Sequence, residues 1–111
     1  MERYKSLREI CSSLGVSRRS VQGYEKAGLV RATGRNKYGH LLYDEAAEQR
    51  IAQVKLYQQM GFSIKEIAEL IDAPVSQRRS VLEKQLVILR KQCAETEWII
   101  HKTEEMICAL H

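Results

Sequence analysis

From about Ser76 to the C-terminus the chain contains neither glycine nor proline, and one register through it is unusually regular. Leu82, Leu86, Leu89, Cys93, Thr96, Ile100, Thr103, Ile107 and Leu110 follow one another at alternating steps of four and three residues. That is the a/d pattern of a coiled coil, sustained for four heptads. At 1.5 Å per residue, roughly 34 residues make a rod of about 50 Å. A helix this long has no core of its own to pack on, so the pattern demands a partner helix. Pro74 interrupts helix just before it and marks a boundary. We therefore expect residues 1–73 to form one compact domain and residues 74–111 to form a dimerisation helix.

The rest of the 111-residue chain can support a real core, since 44% of all residues are hydrophobic. With 6% aromatic, that core is mostly aliphatic, and one proline with six glycines argues against a disordered or fibrous chain. No run of 18 apolar residues is present, so nothing should span a membrane. Met1-Glu2-Arg3-Tyr4-Lys5 leads into no signal-peptide core, and a soluble, cytoplasmic protein is expected. Three scattered cysteines, Cys11, Cys93 and Cys108, are not a secreted disulfide framework. Charge is unevenly placed. Residues 1–43 hold nine Lys/Arg against three Asp/Glu, whereas residues 44–111 hold nine against eleven. A basic end suits a polyanion and an acidic end suits protein, although a solvated face explains either.

Local signals subdivide the first domain. Ser6-Leu7-Arg8-Glu9 is a capping box. Leu7, Ile10, Cys11 and Leu14 behind it recur on one helical face, and Gly15 ends that helix. Ser17 caps a second helix through Arg18, Arg19, Val21, Tyr24 and Lys26, closed by Gly28 at C′. A connection of about three residues is helix-turn-helix spacing. Leu29-Val30-Arg31 and Leu41-Leu42-Tyr43, flanking Gly34, Asn36 and Gly39, predict a small hairpin, placed as a wing. Asp44 caps a third helix running to Gly61, and Ser63-Ile64-Lys65-Glu66 is a second capping box opening a short fourth helix. The fold class expected is mostly α: a winged helix-turn-helix with a small β-hairpin wing, a helix pair and a long C-terminal coiled-coil helix.

These motifs together resemble the MerR family of bacterial transcription regulators. Tyr4 to Val16 looks like that family's opening helix and Gly-Val turn. Val16-Ser17-Arg18-Arg19-Ser20-Val21, followed by Tyr24-Glu25-Lys26-Ala27-Gly28-Leu29, looks like its recognition helix and exit. Gly39 and Tyr43 match the wing's end, and Met60-Gly61-Phe62-Ser63-Ile64-Lys65-Glu66-Ile67 resembles the signature of its helix pair. The likeness is close from residue 4 to about 71 and holds in kind for the long helix. Two departures stand out. Gln22 and Gly23 occupy the positions of a usual Arg-Tyr pair, and Gly39-His40-Leu41 replaces a usual Gly-Tyr-Arg. Both remove phosphate-contacting side chains, and Gly23 in mid-helix costs about 1 kcal/mol relative to Ala. The resemblance implies a homodimer with antiparallel long helices that bends and untwists promoter DNA, with RNA polymerase at the same promoter. An effector segment usually follows the long helix. This chain stops where that segment would begin, so it either works without one or is a fragment.

In such a head, the second helix presents its N-terminus to the major groove. Arg18 or Arg19 then reads guanine, Gln22 reads adenine, and Ser17 reaches phosphate. Tyr24 has two readings, a hydroxyl donated to phosphate or a core side chain. In the wing, Arg35, Lys37, Tyr38 and His40 lie along the backbone or minor groove, or simply form a polar hairpin tip. Lys65 is a weaker phosphate candidate. Cys11 reads as a core filler. Cys93, near mid-rod, would face its own symmetry mate in an antiparallel pair. Trp98, Ile99 and Met106 are read as broadening the apolar stripe. Cys108-Ala109-Leu110-His111 with His101 is a weak metal signal and no cysteine-rich loop accompanies it, so no metal or other cofactor is expected. No catalytic motif is present, and no enzyme is expected. The leading function is sequence-specific binding of a pseudo-palindromic double-stranded promoter site by a homodimer that distorts it. The rivals are an excisionase-like architectural DNA bender and a coiled-coil interaction module with reduced DNA binding.

Overall fold

The computed structural model describes residues 3–110. Its elements run β1 (Lys5–Ser6), α1 (Leu7–Leu14), α2 (Arg18–Lys26), β2 (Gly34–Arg35), β3 (Leu41–Tyr43), α3 (Glu45–Gln59), α4 (Ile64–Leu70) and α5 (Val75–Cys108). The chain divides into two compact units, Met1–Asp72 and Ala73–His111.

The helices of the first unit begin where local chemistry dictates. Ser6 and Ser63 each accept the N3 amide while Glu9 and Glu66 reach back to the cap amide, so both capping boxes form. Ser17 and Asp44 cap α2 and α3 through their side-chain oxygens. The exit of α2 is equally local. Gly28, at φ +77°, donates to the Glu25 carbonyl, and Leu29 donates back to that of Tyr24. This is a Schellman motif, whose left-handed C′ position favours glycine. Gly15, at φ +65°, ends α1 in the same way, with Val16 donating to Cys11. In both cases the next residue is apolar and turns into the core: Val16 is 9% exposed and Leu29 5%.

The core gathers Ile10 of α1, Val21 and Tyr24 of α2, Tyr43 of β3, Ile51, Val54 and Tyr57 of α3, and Ile67 and Leu70 of α4. Cys11 is half-buried beside that face. The sheet differs from the expected hairpin in two ways. Its first hairpin strand is Gly34–Arg35, not Leu29–Arg31, because Leu29 and Val30 are spent as buried plugs after the Schellman turn. It also has a third strand: Lys5–Ser6 pairs antiparallel with β3, giving the order β1-β3-β2. The second unit is the single 34-residue helix α5, capped by Pro74 and without one buried residue.

Candidate nucleic-acid interface

The second helix of the head has two contrasting sides. Val21 is fully buried and Tyr24 is 3% exposed. Arg18, Arg19, Gln22, Gly23 and Lys26 are all exposed on the other side. Among the described residues, Arg18, Arg19, Gln22 and Lys26 have no hydrogen-bond or ion-pair partner. A cationic surface with no intramolecular partner suits an anion from outside. Ser17 is exposed at the start of this helix, its oxygen already accepting the Ser20 amide at 3.0 Å. Tyr24 is separated from this group. It lies three residues after Val21 on the buried side, and its hydroxyl donates to Gln58 of α3, an arrangement that favours the core reading over the phosphate one. Lys26 joins the exposed side without having been singled out from sequence. Its spacing, four after Gln22 and seven after Arg19, was the signal.

What fixes this helix is α3. Lys55 donates to the last α1 carbonyl, Leu14, at 2.6 Å, placing a cation at a helix C-terminus where the dipole favours it. Arg50 donates through Nε to Leu29 just past α2, and grips Asp72 with both terminal nitrogens at 3.0 and 2.9 Å. That carboxylate raises the Arg50 pKa further, against the smaller effect of burial. Gln58 holds Tyr24. On the wing side, the fully buried Tyr43 donates its hydroxyl to Glu25 of α2. Burial first, and the Glu25 carboxylate second, push the Tyr43 phenol well above its ordinary range, so it stays a donor. The second half of α2 and its exit are therefore held from α3 through Tyr24 and Leu29 and from the wing through Glu25.

The wing tip is shaped by Asn36. Its side-chain oxygen accepts the amides of Tyr38 and His40 at 2.9 and 3.0 Å, while Gly39 turns at φ +81°. Arg35 braces the loop by donating to the Gly39 carbonyl at 2.8 Å. Lys37 lies 5.1 Å above the Tyr38 ring, which is 72% exposed and 6.4 Å from the His40 ring. Lys37, Tyr38 and His40 thus lie in one five-residue loop between β2 and β3, with Arg35 at the end of β2 beside them. Lys65 is exposed in the first turn of α4.

On α5, Leu82 and Leu89 are half-exposed, and Leu86, Cys93, Thr96, Ile100, Thr103, Ile107 and Leu110 are exposed. Ile99 and Met106 neighbour this stripe, each three residues after one seam position and four before another. Trp98 does not: it sits midway between Thr96 and Ile100 in sequence and hence on the opposite side of the helix, 63% exposed, beneath Lys102 at 5.6 Å. The charge along α5 is polar end to end. Residues 75–92 carry five Lys/Arg and one Glu, and residues 93–110 one Lys and four Glu. Both halves oppose the helix's own dipole, which favours anions at the N-terminus and cations at the C-terminus. Of the weak metal signal, His101 is paired with Glu105 at 3.1 Å, Cys108 is exposed, and His111 lies outside the described residues. Among those residues no group of three or more His, Cys, Asp or Glu could hold a metal ion. No described helix is long and apolar enough to cross a membrane.

Two family descriptions match the chain: MerR HTH family regulatory protein over residues 5–74, and MerR, DNA binding, over residues 48–109. Neither describes an enzyme. The nodulation protein NolA of Bradyrhizobium diazoefficiens is 32% identical over 98 residues, covering 88% of this chain and 41% of NolA. The chain thus spans about two fifths of the length of the first relatives it matches. The mercuric resistance operon regulatory protein of Shigella flexneri is 31% identical over 102 residues, covering 87% of this chain and 70% of that one. Among solved structures, HiNmlR, a MerR family regulator lacking the sensor domain and bound to promoter DNA, superimposes with a TM-score of 0.74 at 24% identity, covering 88% of this chain and 79% of the other. The mostly helical winged architecture, both family matches and the Shigella relative agree: the chain belongs to the MerR family of helix-turn-helix regulatory proteins.

Proposed function

We propose that this chain regulates transcription in the cytoplasm by binding a pseudo-palindromic promoter site as a homodimer and distorting it where RNA polymerase must act. The observation that carries this reading is the partnerless cationic side of α2, held rigid by Arg50, Lys55, Gln58 and Tyr43. Arg18, Arg19 and Gln22 read base edges in the major groove, and Ser17 approaches phosphate. Arg35, Lys37, Tyr38 and His40 follow the adjacent backbone or minor groove, and Lys65 adds a phosphate contact. That a structurally similar regulator is bound to promoter DNA supports the same use of the head here.

Two such heads are joined through α5, using Leu82, Leu86, Leu89, Cys93, Thr96, Ile100, Thr103, Ile107 and Leu110. The charge pattern favours an antiparallel pair. It sets each cationic N-terminal half against an acidic C-terminal half, and it offsets charges that oppose each helix's own dipole. A parallel pair would stack like charges along the whole rod. Cys93, close to the middle of α5, then meets its symmetry mate. Mild oxidation followed by a non-reducing gel should give a crosslinked dimer that Cys93→Ser abolishes, and a band unaffected by that substitution contradicts the register.

The test of function is selection of bound sequences from a random DNA pool. A symmetric site with half-sites about one or more helical turns apart, multiples of roughly 34 Å, supports the reading. Arg18→Ala or Arg19→Ala should relax specificity, at about 1–3 kcal/mol for a lost bidentate base contact. Lys37→Ala should weaken all sequences alike and lower the salt slope by about 1. Normal operator binding by both arginine variants overturns the recognition-helix assignment. Absence of affinity even for random DNA at low salt overturns the DNA reading and favours an interaction module.

A further inference from the structure

Gly23 has no structural reason to be glycine. It lies inside α2, its φ is not positive, and a Cβ built there meets nothing within 4 Å. Every other ordinary residue except proline is favoured over glycine in a helix interior. The protein's own packing therefore offers no compensation for the weak helix former at this position.

The surroundings of Gly23 suggest what does. It is exposed on the same side of the helix as Arg19, one turn earlier, and Lys26, almost one turn later. Both cations lack partners among the described residues. The exposed side thus has one position of bare helix backbone, with a cation about one turn before it and another almost one turn after it. Bare backbone is what glycine supplies where a ligand must come close, and flanking cations select an anionic ligand. We propose that Gly23 is a contact-determining residue of the head, the point where the sugar–phosphate backbone of DNA packs directly on α2, clamped between Arg19 and Lys26. Base edges are the less fitting occupant. They are met by the first turn of a recognition helix, whereas Gly23 lies in the second half of a nine-residue helix, toward the flank of the exposed side.

The inference rests on the DNA-binding reading and is separable from it. Gly23→Ala and Gly23→Leu are compared with wild type for melting temperature and for affinity toward the selected operator and toward random DNA. Alanine should raise the melting temperature by about 4 °C, because it removes a helix defect without a clash. The same variant should weaken operator and random DNA alike, by about tenfold, and leucine by more. Stability and affinity moving in opposite directions is the signature expected. Affinity unchanged or improved in Gly23→Ala, while wild type binds its operator normally, overturns the inference and leaves the DNA reading intact. A loss confined to one base-pair position also overturns it, since that is the mark of a base-edge contact. Failure of wild type to bind any DNA removes both.

Discussion

The two units of this chain solve the hydrophobic problem in opposite ways. Among the described residues, all fourteen buried apolar ones lie from Ile10 to Ile71. Of the thirteen large hydrophobics exposed among the described residues, ten lie from Val75 onward. The head closes a core inside one chain. The rod displays an apolar stripe over four heptads and closes nothing. A long exposed apolar stripe on a soluble helix marks an interface. The contrast assigns separate tasks: the head is self-sufficient in fold but offers unpaired cations, and the rod is deficient in fold but offers a seam.

Substitutions that strike one unit should leave the other standing. The largest effect is expected from Leu89→Asp. In the proposed symmetric pair the residue occurs twice, and a buried unpaired carboxylate in place of leucine at each site should weaken pairing by about 5 kcal/mol or more. Sedimentation should show monomer while thermal unfolding still reports a folded head. Next, Ile51→Ala, at a fully buried position, should cost the head about 3 kcal/mol in chemical denaturation without altering dimer mass. A collapse of the dimer in that variant would show that the units are not separable. Smaller again is Tyr43→Phe. It removes the donor to Glu25 and should cost about 1–2 kcal/mol. Faster amide exchange in Leu41–Tyr43 should accompany it, and unchanged exchange would mean that the wing is not tied to α2 by this contact.

The smallest effect concerns acid. The amide of Ser6, then its hydroxyl, holds the Glu9 carboxyl below its ordinary 4.5, and Ser63 does the same for Glu66. A carboxyl depressed in the folded state stabilises fully above its unfolded value. That contribution is lost as pH falls from about 4.5 through the lowered folded values. Glu9→Gln with Glu66→Gln should therefore lower the neutral plateau of head stability slightly, leave the acid end nearly unchanged and so flatten that part of the acid limb, as read from melts across pH. An acid limb of unaltered slope would show that the caps do not contribute.

How much of this was legible in the sequence follows from how local each feature is. Ser6 with Glu9, Ser63 with Glu66, and Gly15 and Gly28 all act within a few residues, and each helix boundary they mark is where the structure has it. The strand at Lys5–Ser6 has no such mark. It is two residues long and exists only because Tyr43 and Leu42 lie opposite it. Gly34–Arg35 likewise has no strand-like composition, while Leu29-Val30, which does, is drawn into the core. That Arg18, Arg19 and Gln22 share the exposed side of α2 was readable from helix periodicity. The same periodicity puts Lys26 with them and Tyr24 with Val21. The anchors Arg50, Lys55 and Gln58 were invisible, because their partners lie 21, 41 and 34 residues away. Trp98 shows that residue type without angular position misleads: an apolar side chain between two seam positions points away from the seam.

The central claim is that α5 is half of a pair. Sedimentation equilibrium of the unmodified chain at micromolar concentration tests it most directly. The account predicts a single species of twice the 12.8 kDa chain mass; a species that stays at 12.8 kDa across the concentration range would contradict it.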